Sequence, residues 1–79
     1  LIMNAYSQRI IADQRVMLGK PVIKGTRITV ELILRKLAQG ATPQDLIQMY
    51  PHINSEDISA IFLYAAEVLA NEEMLDSAA

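Results

Sequence analysis

Three cations crowd into nine residues: Lys20, Lys24 and Arg27 lie in GKPVIKGTR, residues 19–27, interleaved with Gly19, Pro21 and Gly25. Side chains of this kind grip phosphates and carboxylates through charge-assisted hydrogen bonds. A phosphate loop of the Walker type spaces its glycines as G-x-x-x-x-G and continues Lys-Ser/Thr into a helix. Here five residues separate Gly19 from Gly25, and Thr26-Arg27 follows. Pro21 also removes an amide that such a cradle would use. The stretch therefore reads as a rigid turn. Gly25 supplies a positive φ between Ile23 and Ile28, Pro21 stiffens the approach, and the cations are displayed on that frame.

The other cations extend the pattern. Arg9, Arg15, Arg35 and Lys36 complete a set of seven that lies wholly within residues 1–36, where only Asp13 and Glu31 oppose it, for a sum of +5. Residues 37–79 hold seven acids and no cation, a sum of −7. Three readings follow: a basic side that faces a partner, subunits that meet head to tail, or two halves that fold together and compensate. For Arg27 the matching internal alternative is a pairing with Glu31, about one helical turn on. Catalysis finds little footing. The chain has no cysteine, and its one histidine, His52, follows Pro51 in a turn. Glu56, Glu67 and Glu72 do not converge with a histidine at metal-ligand spacing. No enzyme activity, metal, cofactor or small-molecule ligand is expected.

The elements that must position these charges are short. Residues 9–29 form a small β-segment of short apolar runs punctuated by Gly19, Pro21 and Gly25. The period changes at Val30: Val30, Ile33, Leu34, Leu37 and Ala38 share one helical face, Thr29 caps it, and Gly40 ends a helix over 30–39. Thr42-Pro43-Gln44-Asp45 opens a second helix over 43–50, which Pro51 stops. Asn54-Ser55-Glu56-Asp57 opens a third over 55–70. Its core stripe is Ile58, Ile61, Phe62, Ala65, Val68 and Leu69, with Leu63 and Tyr64 off the stripe. Residues 1–8 read as an arm and 71–79 as a tail. The second and third helices lie close enough for a helix-turn-helix, although any αα-hairpin has the same spacing. Glu56 and Asp57 at the head of the third helix suit a helix N-terminus and not a DNA phosphate.

At 79 residues the chain is one domain, small enough that oligomerisation is the remaining route to a larger core, and 52% of it is apolar. No apolar run approaches the ~20 residues of a membrane span. The start, LIMNAYSQR, lacks the features of a signal peptide, so a cytoplasmic protein is expected.

The run GKPVIKGTRITVELIL closely resembles the family called domain of unknown function 433. The shared features are Gly-Lys-Pro-x-Ile-x-Gly-Thr-Arg-Ile at 19–28, Gly40 with Thr42-Pro43, Tyr50-Pro51, Glu56-Asp57 and Tyr64-Ala65-Ala66, spanning residues 9–67. The resemblance implies a mainly α, homeodomain-like three-helix domain of helix-turn-helix type with a short N-terminal β-segment, often a homodimer. It also implies an antitoxin in the style of VapB proteins, one half of a toxin–antitoxin system. Such a protein binds and neutralises a PIN-like RNase toxin, and some also bind their own promoter DNA. The alternatives are a stand-alone helix-turn-helix transcriptional regulator and a protein-interaction module without a toxin. On any of these, the contact residues are expected among Lys20, Lys24, Arg27, Arg9, Arg15, Arg35 and Lys36, with Gly19, Pro21 and Gly25 shaping the turn.

Overall fold

A computed structural model describes residues 8–78, with side chains to residue 71; the arm expected at the N-terminus lies almost wholly outside the described residues. Two antiparallel strands, β1 (Ile10–Ile11) and β2 (Val22–Ile23), pair Ile10 with Ile23 and Ile11 with Val22. Three helices follow: α1 (Val30–Ala38), α2 (Pro43–Met49) and α3 (Ser55–Ala78). The architecture is the mainly helical one expected, with a short two-stranded sheet ahead of the helices.

The β-segment is thinner than its apolar runs suggest. Beyond β1 and β2 it holds only the single bridges Asp13–Val16 and Val22–Thr29. Between the strands, Met17, Leu18 and Gly19 form one left-handed turn, with φ of 50°, 57° and 85°. An L-residue in that region costs roughly 1–2 kcal/mol, so nothing in the types of Met17 and Leu18 announces it.

Each helix begins and ends as its residues dictate. Thr29 Oγ1 accepts from the Leu32 N–H at 3.0 Å and caps α1. Its other end closes at Gly40, at φ 107°, where the Gly40 N–H donates to the Leu37 carbonyl and the Ala41 N–H to the Lys36 carbonyl. That bond pair is a Schellman motif, and its left-handed residue is why glycine stands there. At α2, Thr42 and Asp45 form a reciprocal capping box, with Pro43 at the first helical position. Asn54 and Asp57 repeat the device ahead of α3: Asn54 Oδ1 accepts from the Asp57 N–H at 2.9 Å, and Asp57 Oδ2 accepts from the Asn54 N–H at 3.0 Å.

The core draws on every element: Ile10 and Ile23 from the strands, Val30 and Ile33 from α1, Leu46 from α2, Ile53 from the turn, and Ile58, Ala60 and Ile61 from α3. The face of α3 differs from the stripe expected. Phe62 is 50% exposed, whereas Tyr64 packs against the core. Asp57 lies on the inward face with the core residues Ile58 and Ile61. That face also carries Tyr64, and Phe62 points about 100° away from Ile61. The helix also runs on past Ala70 to Ala78. The segment after Ala70 contains no glycine or proline to stop it.

Candidate protein-binding surface

The turn after β2 is held by five hydrogen bonds. The Lys24 N–H donates to the Arg9 carbonyl at 2.8 Å, and the Thr26 N–H to the Ile23 carbonyl at 2.9 Å. The Ile23 N–H donates to the Ile28 carbonyl at 3.0 Å. The Thr26 hydroxyl donates to the Ile23 carbonyl at 2.7 Å and accepts from the Ile28 N–H at 3.0 Å. Gly25, at φ 82°, takes the position of this turn that requires a left-handed residue. Lys24 and Arg27 therefore leave a fixed frame, and both are exposed.

The seven cations divide sharply by partner. Arg9 Nη2 meets Glu56 Oε1 at 2.7 Å, and Arg9 Nη1 meets the Asp57 carboxylate at 3.0 Å. Arg15 pairs with Asp13 at 2.9 Å. Glu31 takes two cations, Lys20 at 3.4 Å and Arg35 at 3.1 Å. Among the described residues, Lys24, Arg27 and Lys36 have no carboxylate partner. The basic half of the sequence is thus not one free surface. Arg9 compensates the acids at the head of α3, and Glu31 turns to Lys20 and Arg35 in place of Arg27. Arg35 wins because it lies one turn on along the same helix, at the i+4 position. Of the turn-shaping residues, Gly19 and Gly25 adopt positive φ and Pro21 accepts the Val30 N–H at 3.0 Å, joining the turn to α1.

These pairings depress three carboxyls below their ordinary range: Asp13 through Arg15, Glu31 through Arg35 and then Lys20, and Asp45 through the Thr42 backbone N–H. A carboxyl lowered on folding contributes stability that is present above its unfolded pKa and is lost as pH falls through its folded pKa. The domain is therefore expected to lose stability as pH drops below about 4. Carboxyl NMR titration should place the Glu31 midpoint below that of an ordinary glutamate, and Arg35→Ala should raise it.

A second feature lies between α1 and α3. Val30, Leu34 and Ala38 on α1 face Tyr64, Val68 and Leu69 on α3 across an open groove of about 540 Å³. Lys20, Glu31 and Arg35 form its lip. The sequence pattern does not single this groove out, because Val30, Leu34 and Ala38 share one apolar face of α1 with the core residue Ile33 and nothing in their types sets the groove wall apart. Among the described residues no group of His, Asp and Glu side chains could hold a metal ion, and no helix is long and apolar enough to cross a membrane.

The family model described as "Protein of unknown function (DUF433)" matches residues 10–65. The chain belongs to the DUF433 family. A crystal structure of a DUF433 member from Anabaena variabilis superposes with a TM-score of 0.73 at 32% identity, over 91% of this chain and 72% of that one. An "Uncharacterized protein" of Archaeoglobus fulgidus is 57% identical over 28 residues, 35% of this chain and 78% of its own length. Within this DUF433 chain, the family match takes in the Lys24–Arg27 turn, all of α1 and α2, and α3 to Ala65.

Proposed function

We propose that this DUF433 chain is the antitoxin of a toxin–antitoxin pair and that it grips its partner through the Lys24–Arg27 turn. The observation that carries the reading is the division of charge. The turn's two cations are held on a hydrogen-bonded frame and meet no carboxylate among the described residues, while Arg9, Arg15, Lys20 and Arg35 are neutralised close by. A preorganised cation pair loses little freedom on binding and needs no internal bond broken first. A metal-dependent RNase of PIN type, the partner the family resemblance suggests, has a cluster of carboxylates around its ion. A guanidinium placed among them competes with the metal by charge and by paired hydrogen bonds. Arg27 is the residue for that role and Lys24 its neighbour. Lys20, tied to Glu31, contributes less.

The test is co-expression with the product of a short neighbouring gene rich in spaced Asp and Glu. The chain should co-purify with it. Lys24→Glu with Arg27→Glu should weaken the complex by about 100-fold or more, as the loss of two charge-assisted bonds requires. Arg15→Glu, which reverses a charge already paired with Asp13, should change it little. A complex of unaltered affinity after both turn reversals would remove the proposal. Promoter binding through the same turn has weaker support, because the N-terminus of α3 presents Glu56 at the position where a helix-turn-helix reads the major groove. If it occurs, its affinity falls steeply with salt and depends on Lys24, Arg27 and Lys36.

A further inference from the structure

The turn between β1 and β2 holds a leucine in a conformation that leucine disfavours, and the fold gains nothing from it. Met17 and Leu18 lie at φ 50° and 57°, the only non-glycine residues in the left-handed region among those described. An L-residue enters that region at a cost, and as a rule singly. Two in succession persist only where the surrounding chain over-determines them. Here it does. The Val16 N–H donates to the Asp13 carbonyl at 2.8 Å, the Gly19 N–H to the Val16 carbonyl at 3.1 Å, and the Lys20 N–H to the Met17 carbonyl at 3.1 Å. Asp13 Oδ1 also accepts from the Arg15 N–H at 2.9 Å. Leu18 nevertheless takes no part in the core and is 85% exposed, the most exposed large apolar side chain among the described residues. Asparagine or glycine holds the same backbone at less cost. Neither conformation nor internal packing accounts for a leucine at this position; a contact outside the chain does.

We infer that Leu18 is the apolar anchor of the complex proposed above, entering an apolar socket on the protein that the Lys24–Arg27 turn grips; the inference rests on that reading. The charges beside Leu18 suit such a socket. Arg15 is paired with Asp13 and Lys20 with Glu31, so a surface that closes over the leucine strands no lone ion. The placement suits it too. Leu18 and Lys24 are six residues apart, no more than about 22 Å of extended chain. A standard interface covers about 800 Å² on each partner, so one partner face takes in both turns. The two contacts then differ in what they supply. Carboxylates opposite Lys24 and Arg27 set orientation and partner choice, whereas removing Leu18 from water supplies affinity. A fixed turn loses little freedom when it docks, which is the use of holding this leucine rigidly and not on a flexible loop.

Leu18→Asn tests this through two measurements that an anchor moves in opposite directions. Urea unfolding of the full chain alone should show a midpoint raised by roughly half a molar, because strain is relieved and no core contact is lost. The complex with the product of the neighbouring gene should be weakened by about tenfold or more, as the loss of a buried leucine requires. Leu18→Met keeps both an apolar side chain and the strain. It should leave the midpoint unchanged and the affinity within about threefold of the parent. A midpoint lowered in Leu18→Asn makes the leucine a packing residue and overturns the inference. So does a complex that Leu18→Asn leaves at the parent affinity. If Lys24→Glu with Arg27→Glu still weakens that complex, the antitoxin reading stands and the anchor alone falls. If the parent chain forms no complex, the antitoxin reading fails and takes the anchor with it.

Discussion

Replacing Leu46 with alanine is expected to cost about 3–4 kcal/mol and to leave much of the protein unfolded at 37 °C. Helix α2 is only seven residues long, and Leu46 is its single buried side chain, with no exposed surface at all. The capping box at Thr42 and Asp45 starts the helix but does not attach it to anything. Leu46 does, by entering the cluster formed by Ile33, Ile53 and Ile61. Truncation would lose the transfer energy of the removed carbons and leave a void that the short helix can close only by leaving its seat. Domains hold about 0.05–0.15 kcal/mol per residue, which for 79 residues is of order 4–12 kcal/mol. The loss is therefore a large part of the whole. Urea unfolding followed by circular dichroism measures it. The protein concentration must be matched, because any self-association shifts the midpoint. Met49→Ala, at a side chain 50% exposed on the same helix, should stay within about 0.5 kcal/mol of the parent. A Leu46→Ala change of less than about 1 kcal/mol would show that α2 is not held as described.

The features legible in the sequence are those that local chemistry decides. Thr29, Thr42-Pro43-Asp45 and Asn54-Asp57 mark helix starts because a short polar side chain must satisfy free amides there, and all three do so. Gly25 and Gly40 mark left-handed positions for the same kind of local reason. What escaped the sequence is what two distant segments decide together. The rotation of α3, with Tyr64 inward and Phe62 outward, is set by packing against other elements, and its head is tied by a bond between Asp57 and a residue 48 positions earlier. The pairing of Lys20 with Glu31 depends on where the loop before β2 comes to rest. The left-handed Met17 and Leu18 carry no compositional mark, since neither is a residue type that favours that region. For the candidate site the consequence is specific. The sequence supplied seven cations of equal standing, and folding separates the four that are paired from Lys24, Arg27 and Lys36.

Asp57→Ala is expected to destabilise the domain by about 2–3 kcal/mol and to loosen the proposed binding turn at the same time. The Asp57 side chain is 8% exposed and holds two segments at once: it accepts from the Asn54 N–H, which closes the cap of α3, and from Arg9 Nη1. Arg9 is 36% exposed, so water screens part of the pair, and the expected loss lies below that of a fully buried ion pair. Arg9 in turn gives its backbone carbonyl to the Lys24 N–H. The head of α3, the start of β1 and the Lys24–Arg27 turn are therefore linked through one residue. Denaturant unfolding should show the stability loss. A cycle with Arg9→Ala should show coupling between the two sites, because each removes the other's partner. Amide exchange should report the second effect, with the Lys24 N–H exchanging faster in Asp57→Ala than the global loss alone requires. Asp57→Asn separates the contributions: its side-chain oxygen can still accept from the Asn54 N–H, but it gives Arg9 no charge. It should fall between the parent and the alanine variant. If Asp57→Ala stays within about 0.5 kcal/mol of the parent and Lys24 exchange is unchanged, Arg9 is not the strut it is taken for. It would then return to the cations available for a partner.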